Sequence, residues 1–600
     1  MRFLAVLPAL LAATASLASL VPGSHGWPAQ KPNIIFILTD DQDVKLNSLD
    51  YMPLLKKHMV DQGTSFTRHY CTVSVCCPSR ASMWTGLHAH NTNVTHVNPI
   101  HGGYYKFMKQ GFNDKYLPIW LQQGGYKTYY SGKFLNVHNI TNYNNPFPAG
   151  WTGSDFLLEP YTYQYNMPGS TKNQAPPQVY NGTYNTNFVF ASAFEFLDEA
   201  AADPNGSPFF LTINPIAPHF EAPAPFPNGG LGPPVSDTPY KDMFKDLIAP
   251  RTPNFNPDVP SGGGWVRNLP KLTDSYIATN DEWYRLRLRS LQSVDAKIDE
   301  LFSRLDALDL LDNTYVIYSS DNGFHIGNHR LPPGKLCPYE EDVNVPFIVR
   351  GPGVACGRVA DVVTSHVDLA PTVLKLAGLP LRDEFDGTPI PVTAPDLDWA
   401  NVAGRKREVT LAEMWIQGIS SVSEVTGQIL NTASLNTTYK SLRLVGSNYN
   451  LFYGIWCNND HELYDMQKDP YQMSNLFPAG FNTTGDKTAI IPGLCASAQT
   501  VASRIDALMF ILKTCKGAAC RNPWQALLGS HAPVASLKDA LDPKYDRFFN
   551  SVPRVQFAKC TPAQFLEFER PLFEEWKQNN ATQAIGPQPS LAAIYKRCKN

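Results

Sequence analysis

Four short runs of apolar and β-branched residues lie in the first 320 residues of the chain, and polar side chains follow each of them. The runs cover residues 33–38, 127–130, 209–213 and 314–318. Continuous apolar runs of this length are typical of parallel strands that are covered on both faces. Because ligands of open α/β sheets bind beyond the carboxyl ends of the strands, we expect the polar groups after these runs to meet in one cleft. These groups are Asp40, Asp41, Lys133, His219, Asp321 and Asn322.

A different pattern covers residues 284–311, where apolar residues recur at helical spacing and charged residues occupy the opposite face. A helix directly before a strand is the usual crossover unit of a parallel sheet. The stretches 144–187 and 222–265 are rich in Pro, Gly, Asn and aromatic residues, which predicts long ordered loops.

The alternation of strands and polar ends stops after about residue 396, and residues 440–446 and 449–453 predict an antiparallel pair of strands. At 600 residues the chain is too long for one compact core. We therefore predict an α/β fold in two parts. Residues 30–395 form a large domain with a central, mostly parallel sheet between helices, and residues 396–600 form a smaller C-terminal domain with an antiparallel sheet.

The chain opens with Arg2, an apolar run over residues 3–20 and a segment of small residues, which predicts a secretory signal peptide over residues 1–24. Ala, Ser and Thr interrupt the run and little positive charge follows it, so cleavage is favoured over a membrane anchor. The C-terminus has neither a retrieval signal nor a lipid-anchor tail. We expect a secreted protein, extracellular or in the cell wall.

Sequons and cysteines agree with export. N-glycosylation is expected at Asn-x-Ser/Thr sequons, which occur at Asn93, Asn139, Asn181, Asn205, Asn436, Asn482 and Asn580. The 11 cysteines are an odd number, and setting Cys76 aside leaves ten. We expect these ten to be largely disulfide-bonded, and Cys515 and Cys520 are close enough in sequence to pair.

The formal net charge is −3, and acids and bases are mixed along the chain. This distribution provides neither a basic face for nucleic acid nor a polybasic patch for a membrane surface. Partners are therefore expected among small molecules or glycans.

The strongest local motif runs from Cys76 to Gly86 and reads Cys-Cys-Pro-Ser-Arg-Ala-Ser-Met-Trp-Thr-Gly. Pro78 suits the first turn of a helix and Gly86 suits its end. A group at the N-terminus of this helix faces free amides and the positive end of the helix dipole, which favours an oxyanion. Arg80 lies on the same helical face as Cys76 and can brace its charge. From the motif alone, a buried or disulfide-bonded cysteine pair remains an alternative.

This motif resembles the signature of the sulfatase family, Cys-x-Pro-Ser-Arg-x-x-x-x-Thr-Gly. The resemblance implies an alkaline-phosphatase-like catalytic domain and makes Cys76 the precursor of formylglycine. In the family, the formylglycine hydrate is the nucleophile, and a covalent sulfo-enzyme intermediate follows. A formylglycine-generating enzyme is then a partner during maturation.

The likeness to the family continues, in family order, over about residues 31–480. Within the family, the chain most resembles secreted fungal and algal arylsulfatases and glucosamine-6-sulfatases. Further matches lie at residues 33–41, 125–133, 218–219, 321–323, 334–335, 345–353, 367–372 and 462–476.

The resemblance implies one calcium ion, held by Asp40, Asp41, Asp321 and Asn322. These side chains offer only oxygen donors, which suit calcium ahead of magnesium and suit zinc poorly. The family roles implied for the remaining residues are contact with sulfate oxygens by Lys133 and Lys335 and protonation of the leaving alcohol by His219.

One position departs from the common family pattern. Many sulfatases carry histidine two residues after the lysine of the second motif, whereas Leu135 stands here. Leucine also occurs there in the branch that includes glucosamine-6-sulfatases. The base for sulfate elimination is therefore open, and His138 and His325 are the candidates, with His138 also a candidate substrate-binding residue.

These features predict an enzyme, a sulfuric-ester hydrolase of the arylsulfatase type. The alternatives are a sulfated-sugar sulfatase and a phosphonate or phosphate-ester hydrolase of the same superfamily. A catalytically silent glycan-binding protein is disfavoured because all the residues named above as catalytic or metal-binding are present.

Overall fold

The computed structural model describes residues 31–222, 231–402, 407–416, 421–423, 429–430, 436–478, 480–481, 489–529 and 532–579. The predicted signal peptide and the sequons at Asn482 and Asn580 lie outside these residues. The other sequon asparagines are exposed, except Asn139, which is half-buried.

The large domain is built on a ten-stranded mixed sheet. The four strands predicted from the apolar runs lie side by side at its centre and are mutually parallel, and Gly153–Leu157 extends the parallel set. From edge to edge the strands are Arg358–Ala360, Thr64–Phe66, Phe347–Arg350, Thr314–Ser320, Asn33–Thr39, Phe209–Asn214, Lys127–Gly132, Gly153–Leu157, Gly169–Lys172 and Gln178–Val179. The stretch 144–187 therefore supplies three strands, and its prediction as loop was wrong.

Helices cover both faces of this sheet, as the unbroken apolar runs predict. In the strand Asn33–Thr39, Ile34 and Phe36 belong to one apolar core and Ile35 and Ile37 to another, because successive side chains of a strand point to opposite faces. The helices of the first face are Cys76–Thr85, Leu117–Gln123 and Leu369–Leu376, and those of the second are Asn185–Ala201 and Asp274–Ala307.

The long helix Asp274–Ala307 starts ten residues earlier than the pattern predicts. Thr273 caps it, because its hydroxyl accepts a hydrogen bond from the backbone N–H of Tyr276 at 3.3 Å. Side-chain caps of this kind satisfy one of the free amides of the first turn. The cap, rather than the apolar face, sets the beginning of the helix.

A separate four-stranded antiparallel sheet contains the predicted C-terminal pair. Its strands are Val409–Met414, Tyr439–Val445, Asn450–Trp456 and His461–Asp465. The helix Ala498–Leu512 packs its apolar residues against this sheet and forms a further core. The predicted α/β fold with an additional antiparallel sheet is confirmed.

The other elements are short. Paired strands are His69–Tyr70 with Thr364–Ser365, Ser421–Val422 with Ile429–Leu430, and Ile490–Ile491 with Ala496–Ser497. The α-helices are Pro53–Leu55, Ala89–Thr92, Gly103–Lys109, Glu340–Val343, Ala394–Val402, Ala518–Arg521, Pro523–Leu528, Leu537–Ala540, Asp546–Ser551 and Phe573–Asn579. Within the residues described, no helix combines the length and the apolar character needed to cross a membrane.

The disulfide expectation holds only in part. The predicted Cys515–Cys520 pair is present, Cys457 is bonded to Cys560, and Cys495 is also disulfide-bonded. Four other cysteines besides Cys76 are free, namely Cys71, Cys77, Cys337 and Cys356. The first three of these are buried in the large domain, where close packing rather than covalent linkage accommodates them.

Candidate active site

The turn after the central strand Asn33–Thr39 carries Asp40 and Asp41, and both side chains are fully buried. Asp40 donates its backbone N–H to the carbonyl of Ala217 at 3.3 Å, and Asp41 donates its own to Oδ1 of Asp321 at 3.1 Å. Asp41 has a φ of 65°, in the left-handed region that residues other than glycine seldom adopt. Such strain persists only where the surroundings hold it, and it is common at functional sites. The neighbouring strand ends therefore fix this turn.

The helix Cys76–Thr85 directs its N-terminus at the same turn. The Sγ atom of Cys76 lies 3.4 Å from Oδ1 of Asp40 and 4.0 Å from Oδ1 of Asp41. As predicted, a proline occupies the first turn of the helix, and Gly86 ends it with a φ of 70°. The residue at position 76 is thus presented to the carboxylates from a buried helix end.

Two buried lysines complete the surroundings of Cys76. The Nζ atom of Lys133 donates to Oδ2 of Asp40, and the Nζ atom of Lys335 donates to Oδ1 of Asp41. Lys335 Nζ also lies 2.8 Å from the Sγ atom of Cys76. Both ammonium groups are placed to contact an anion bound beside position 76.

Arg80 joins the helix to two other strand ends. Its Nε donates to Oδ2 of Asp321 at 2.8 Å, and Nη1 donates to the carbonyl of Lys133 at 2.7 Å. Its Nη2 lies 3.6 Å from Oδ2 of Asp40. No hydrogen bond of the described residues joins Arg80 to Cys76, so the guanidinium braces the carboxylates and the Lys133 backbone.

The oxygen donors fit a hard divalent cation. Ligand atoms of Asp40, Asp41, Cys76 and His219 all lie within 4.8 Å of one another. Asn322 donates Nδ2 to Oδ1 of Asp41 at 2.8 Å, while Asn322 Oδ1 and Asp41 Oδ2 are buried without a hydrogen-bond partner among the described residues. Buried oxygens without a partner are costly, and a bound cation removes that cost. These acidic residues could therefore hold a metal ion.

The electrostatics keep the carboxylates of Asp40 and Asp41 and the ammonium groups of Lys133 and Lys335 ionised. Burial acts to raise the pKa of Asp40 and Asp41, but Lys133 beside the first and Lys335 beside the second outweigh it and hold both pKa values below their ordinary range. Burial acts to lower the pKa of the two lysines, and the carboxylates more than reverse this. For Cys76, burial and the charge of Asp40 both raise the pKa of the thiol. An unmodified Cys76 therefore stays protonated.

His219 reaches the cluster from the loop that follows the strand Phe209–Asn214. Its Nε2 lies 3.8 Å from Oδ2 of Asp41, and its Nδ1 is 2.8 Å from the carbonyl of Phe220, to which it donates as the protonated nitrogen. The ring stacks on Tyr163, with 4.5 Å between the ring centroids. Burial lowers the pKa of His219 to about 4. The free Nε2 thus faces the carboxylates and any group bound between them.

The family match agrees with this arrangement. The Sulfatase family model matches residues 32–379, which is more than half of the chain. The chain belongs to the sulfatase family. Its activity class is therefore that of a sulfatase hydrolase, and a family of this kind generally uses a formylglycine and a metal ion.

Three similar proteins show the reach of the likeness. An arylsulfatase of Volvox carteri is 37% identical over 561 residues, covering 89% of this chain and 82% of that protein. An N-acetylglucosamine-6-sulfatase of Homo sapiens is 30% identical over 516 residues, covering 82% and 86%. A solved structure of a protein bound to its substrate D-glucosamine-2-N,6-O-disulfate superposes with a TM-score of 0.58 at 21% identity, covering 75% of this chain and 94% of that one. The sulfatase thus has relatives that act on aryl sulfates and on sulfated sugars.

His138 of this sulfatase lies away from the cluster, inside an aromatic group. Its ring stacks on Tyr104 with centroids 4.2 Å apart, and its Nε2 is 3.4 Å from the carbonyl of Tyr143. Burial lowers the pKa of His138 to about 3. No hydrogen bond or ring contact of the described residues connects it to Cys76, so its suggested role in binding substrate stays a prediction.

His325, the other candidate base, is held by a carboxylate. Its Nδ1 lies 2.8 and 2.9 Å from the two carboxylate oxygens of Asp342, and its backbone pairs with Gly334, the residue before Lys335. Leu135 packs in the apolar core and carries no polar group. Of the two histidines, His325 is the one whose backbone pairs with the residue preceding a lysine of the site.

The contacts of two residues of the sulfatase site were not predicted from the sequence. Ser79 donates its hydroxyl to the carbonyl of Asp321 at 2.6 Å and lies 2.8 Å from Nδ1 of His366. Tyr163 stacks on His219, and Lys133 Nζ lies 4.8 Å from the Tyr163 ring centroid. In the sequence, Ser79 stands out only as part of the family motif, and Tyr163 lies in a segment without any motif.

Proposed function

We propose that this protein is a secreted arylsulfatase that uses formylglycine derived from Cys76 and one calcium ion. The observation that carries the proposal is the position of Cys76 at a buried helix N-terminus, in contact with Lys335 and with the carboxylates of Asp40 and Asp41. An unmodified thiol in this place stays protonated and is a poor nucleophile. Conversion to formylglycine, followed by addition of water to its aldehyde, supplies the hydroxyl that attacks sulfur.

The charges favour a sulfate monoester. Three carboxylates, of Asp40, Asp41 and Asp321, face three cations, of Arg80, Lys133 and Lys335. A calcium ion held by the carboxylates and Asn322 neutralises sulfate oxygens when bound. Its two positive charges and the single negative charge of a sulfate monoester leave a small net positive charge. A phosphate monoester would bring a second negative charge and leave no net positive charge in the site.

The residues of the chain divide the remaining work. Lys133 and Lys335 bind and orient the sulfate oxygens, and Arg80 keeps Asp321 and the Lys133 backbone in place. His219 directs Nε2 into the site, and its imidazolium form, which carries a proton on Nε2 as well as on Nδ1, donates the Nε2 proton to the leaving oxygen. His325, held by Asp342, is the proposed base for releasing sulfate.

Secretion and N-glycosylation belong to the same proposal. The apolar segment at residues 3–20 supports export, and so do the disulfides Cys457–Cys560 and Cys515–Cys520. The exposed sequons support glycosylation.

Mass spectrometry of the secreted enzyme tests the proposal directly. The peptide that contains position 76 should carry an aldehyde, and Cys76→Ala should abolish hydrolysis of nitrophenyl sulfate. Cys77→Ala is the matched control, because its side chain is equally buried but lies outside the carboxylate cluster. An active wild-type enzyme with only an unmodified thiol or a disulfide at position 76 would refute the mechanism.

A sulfated sugar is the second candidate substrate. The human N-acetylglucosamine-6-sulfatase is similar over most of both chains, and Leu135 matches the branch in which such enzymes fall. A panel of nitrophenyl sulfate, glucosamine-6-sulfate, nitrophenyl phosphate and a phosphonate ester separates the candidates by kcat/KM. The highest value is expected for the aryl sulfate, and a preference for the phosphonate would replace the proposal by the phosphonate-hydrolase alternative.

A further inference from the structure

One arginine on the long helix Asp274–Ala307 touches all three loops that carry the proposed metal ligands and His219. Arg287 is buried, with 2% of its side chain exposed. Its Nη2 donates to the carbonyl of Asp41 at 2.6 Å, and its Nη1 donates to the carbonyl of Pro218 at 3.2 Å. The guanidinium carbon lies 4.0 Å from the ring centroid of Phe324. Pro218 precedes His219, and Phe324 lies two residues after Asn322.

We propose that Arg287 is a positioning residue that sets the mutual placement of the metal-binding turn, the His219 loop and the Asp321–Asn322 loop. Asp41 needs such support, because its left-handed backbone is strained and its carbonyl is the group that Arg287 binds. A planar guanidinium can bond two carbonyls and stack on a ring at the same time, which an ammonium group cannot do.

The role is geometric rather than electrostatic. Nη2 of Arg287 also lies 2.9 Å from Oδ1 of Asp43, which is itself buried. Asp43 in turn accepts hydrogen bonds from the backbone N–H groups of Leu46 and Ser48, at 3.2 and 3.3 Å. The positive charge is thus neutralised locally. What Arg287 contributes to the site is the direction of the Asp41 and Pro218 carbonyls.

This inference rests on the proposed function, since it assigns Arg287 to the calcium site and to the proton donor. Outer residues that orient metal ligands typically change metal affinity or activity by about 10- to 100-fold when they are replaced. Arg287→Lys should therefore weaken calcium binding by a factor in this range and lower kcat/KM, with part of the activity recovered at high calcium. Because the His219 loop also shifts, alkyl sulfates should lose more activity than nitrophenyl sulfate.

The matched control is Arg289→Lys, on the same helix. Arg289 is also largely buried and donates its Nε to a backbone carbonyl, that of Met243 at 2.6 Å, which lies outside the site. This variant can lower stability by a similar mechanism. It should leave calcium affinity and the leaving-group dependence at wild-type values.

The experiment is calorimetric titration of chelator-treated protein with calcium, paired with kinetics on both classes of sulfate ester. Asp43→Asn is the second variant, in case Arg287→Lys does not fold. It keeps the shape of the side chain but turns an amide donor toward the guanidinium, and it should weaken calcium binding in the same direction by a smaller factor. Equal calcium affinity in wild type and in the folded variants would overturn the role of Arg287. A wild-type enzyme that binds no calcium would overturn the proposed metal site and this inference together.

Discussion

The Nζ atom of Lys335 lies 2.8 Å from the Sγ atom of Cys76, although 259 residues separate the two in sequence. The same ammonium group contacts the carboxylate of Asp41. A cation in this position stabilises negative charge that develops on an oxygen attached to position 76 or on a sulfate bound beside it. The contact between Lys335 and Cys76 therefore places a positive charge beside the proposed nucleophile, where negative charge develops during the reaction.

Replacing Lys335 by methionine tests this contact. Lys335→Met should lower kcat/KM for nitrophenyl sulfate by at least ~100-fold, the lower range for the loss of one electrostatic catalytic group. Lys375→Met is the control, because Lys375 forms a half-exposed ion pair with Asp396 at 2.7 Å, on an element outside the site. Its kcat/KM should equal that of the wild type. Near-normal activity of folded Lys335→Met would contradict the assignment.

Removal of the metal should abolish turnover, because Asp40, Asp41 and Asp321 would lose a major counter-charge. Chelator treatment should inactivate the enzyme, and calcium should restore it. Asp321→Ala should lower kcat/KM by at least ~100-fold and reduce calcium content in elemental analysis. Asp299→Ala, which removes a partly exposed carboxylate paired with Lys57, serves as the control. Full activity of a preparation shown to be free of metal would disprove the site.

His219→Ala should impair poor leaving groups most. Proton donation helps a strongly basic alkoxide far more than a stabilised nitrophenolate, which departs without a proton. The ratio of kcat/KM for nitrophenyl sulfate to that for an alkyl sulfate should therefore rise in the variant. An equal loss on both substrates would indicate that His219 binds substrate without donating a proton.

The pH dependence of stability should contain a contribution from Asp506, in the helix Ala498–Leu512. Burial raises the pKa of Asp506 to about 6. The folded protein holds the proton at pH values where the unfolded chain has released it, so the free energy of unfolding falls as the pH rises from about 4 to about 6 and is not lowered further above that range. The loss should be roughly 1 to 3 kcal/mol, since one pKa unit corresponds to about 1.4 kcal/mol.

Asp506→Asn should remove this fall in the free energy of unfolding between pH 4 and pH 6. The asparagine can still accept the hydrogen bond from the Tyr453 hydroxyl, which lies 2.8 Å from Oδ1, but it loses the bond from the backbone N–H of Val555. The variant is therefore less stable than the wild type at every pH. The quantity to compare is the change in the free energy of unfolding between pH 4 and pH 6, measured by urea titration at each pH. If the free energy of unfolding changed equally with pH in wild type and variant, the pH dependence would belong to other groups.

The sequence by itself determined the class of fold and named most residues of the proposed site. The four apolar runs are continuous because their strands are covered on both faces, and this pattern predicted the parallel centre of the sheet. The helix beginning at Cys76 was predicted from its proline and its terminal glycine, since these residues act locally on the backbone. The proposed metal and sulfate residues could be named because they fall within the family motifs.

The tertiary structure alone decided which groups touch. Three strands in residues 144–187 were missed, because they are short and mostly polar and pair at the edge of the sheet rather than in its apolar centre. Leu135 and His138 lie near Lys133 in sequence, yet they point into an apolar and an aromatic cluster, whereas Lys335 reaches Cys76 from far along the chain. In the sequence, nothing distinguishes Arg287 from the other charged residues of its amphipathic helix. Its contacts with the site loops are seen only in the tertiary structure. Long-range packing sets these contacts, and a periodic pattern along one chain records which face is buried but not which loops that face will meet.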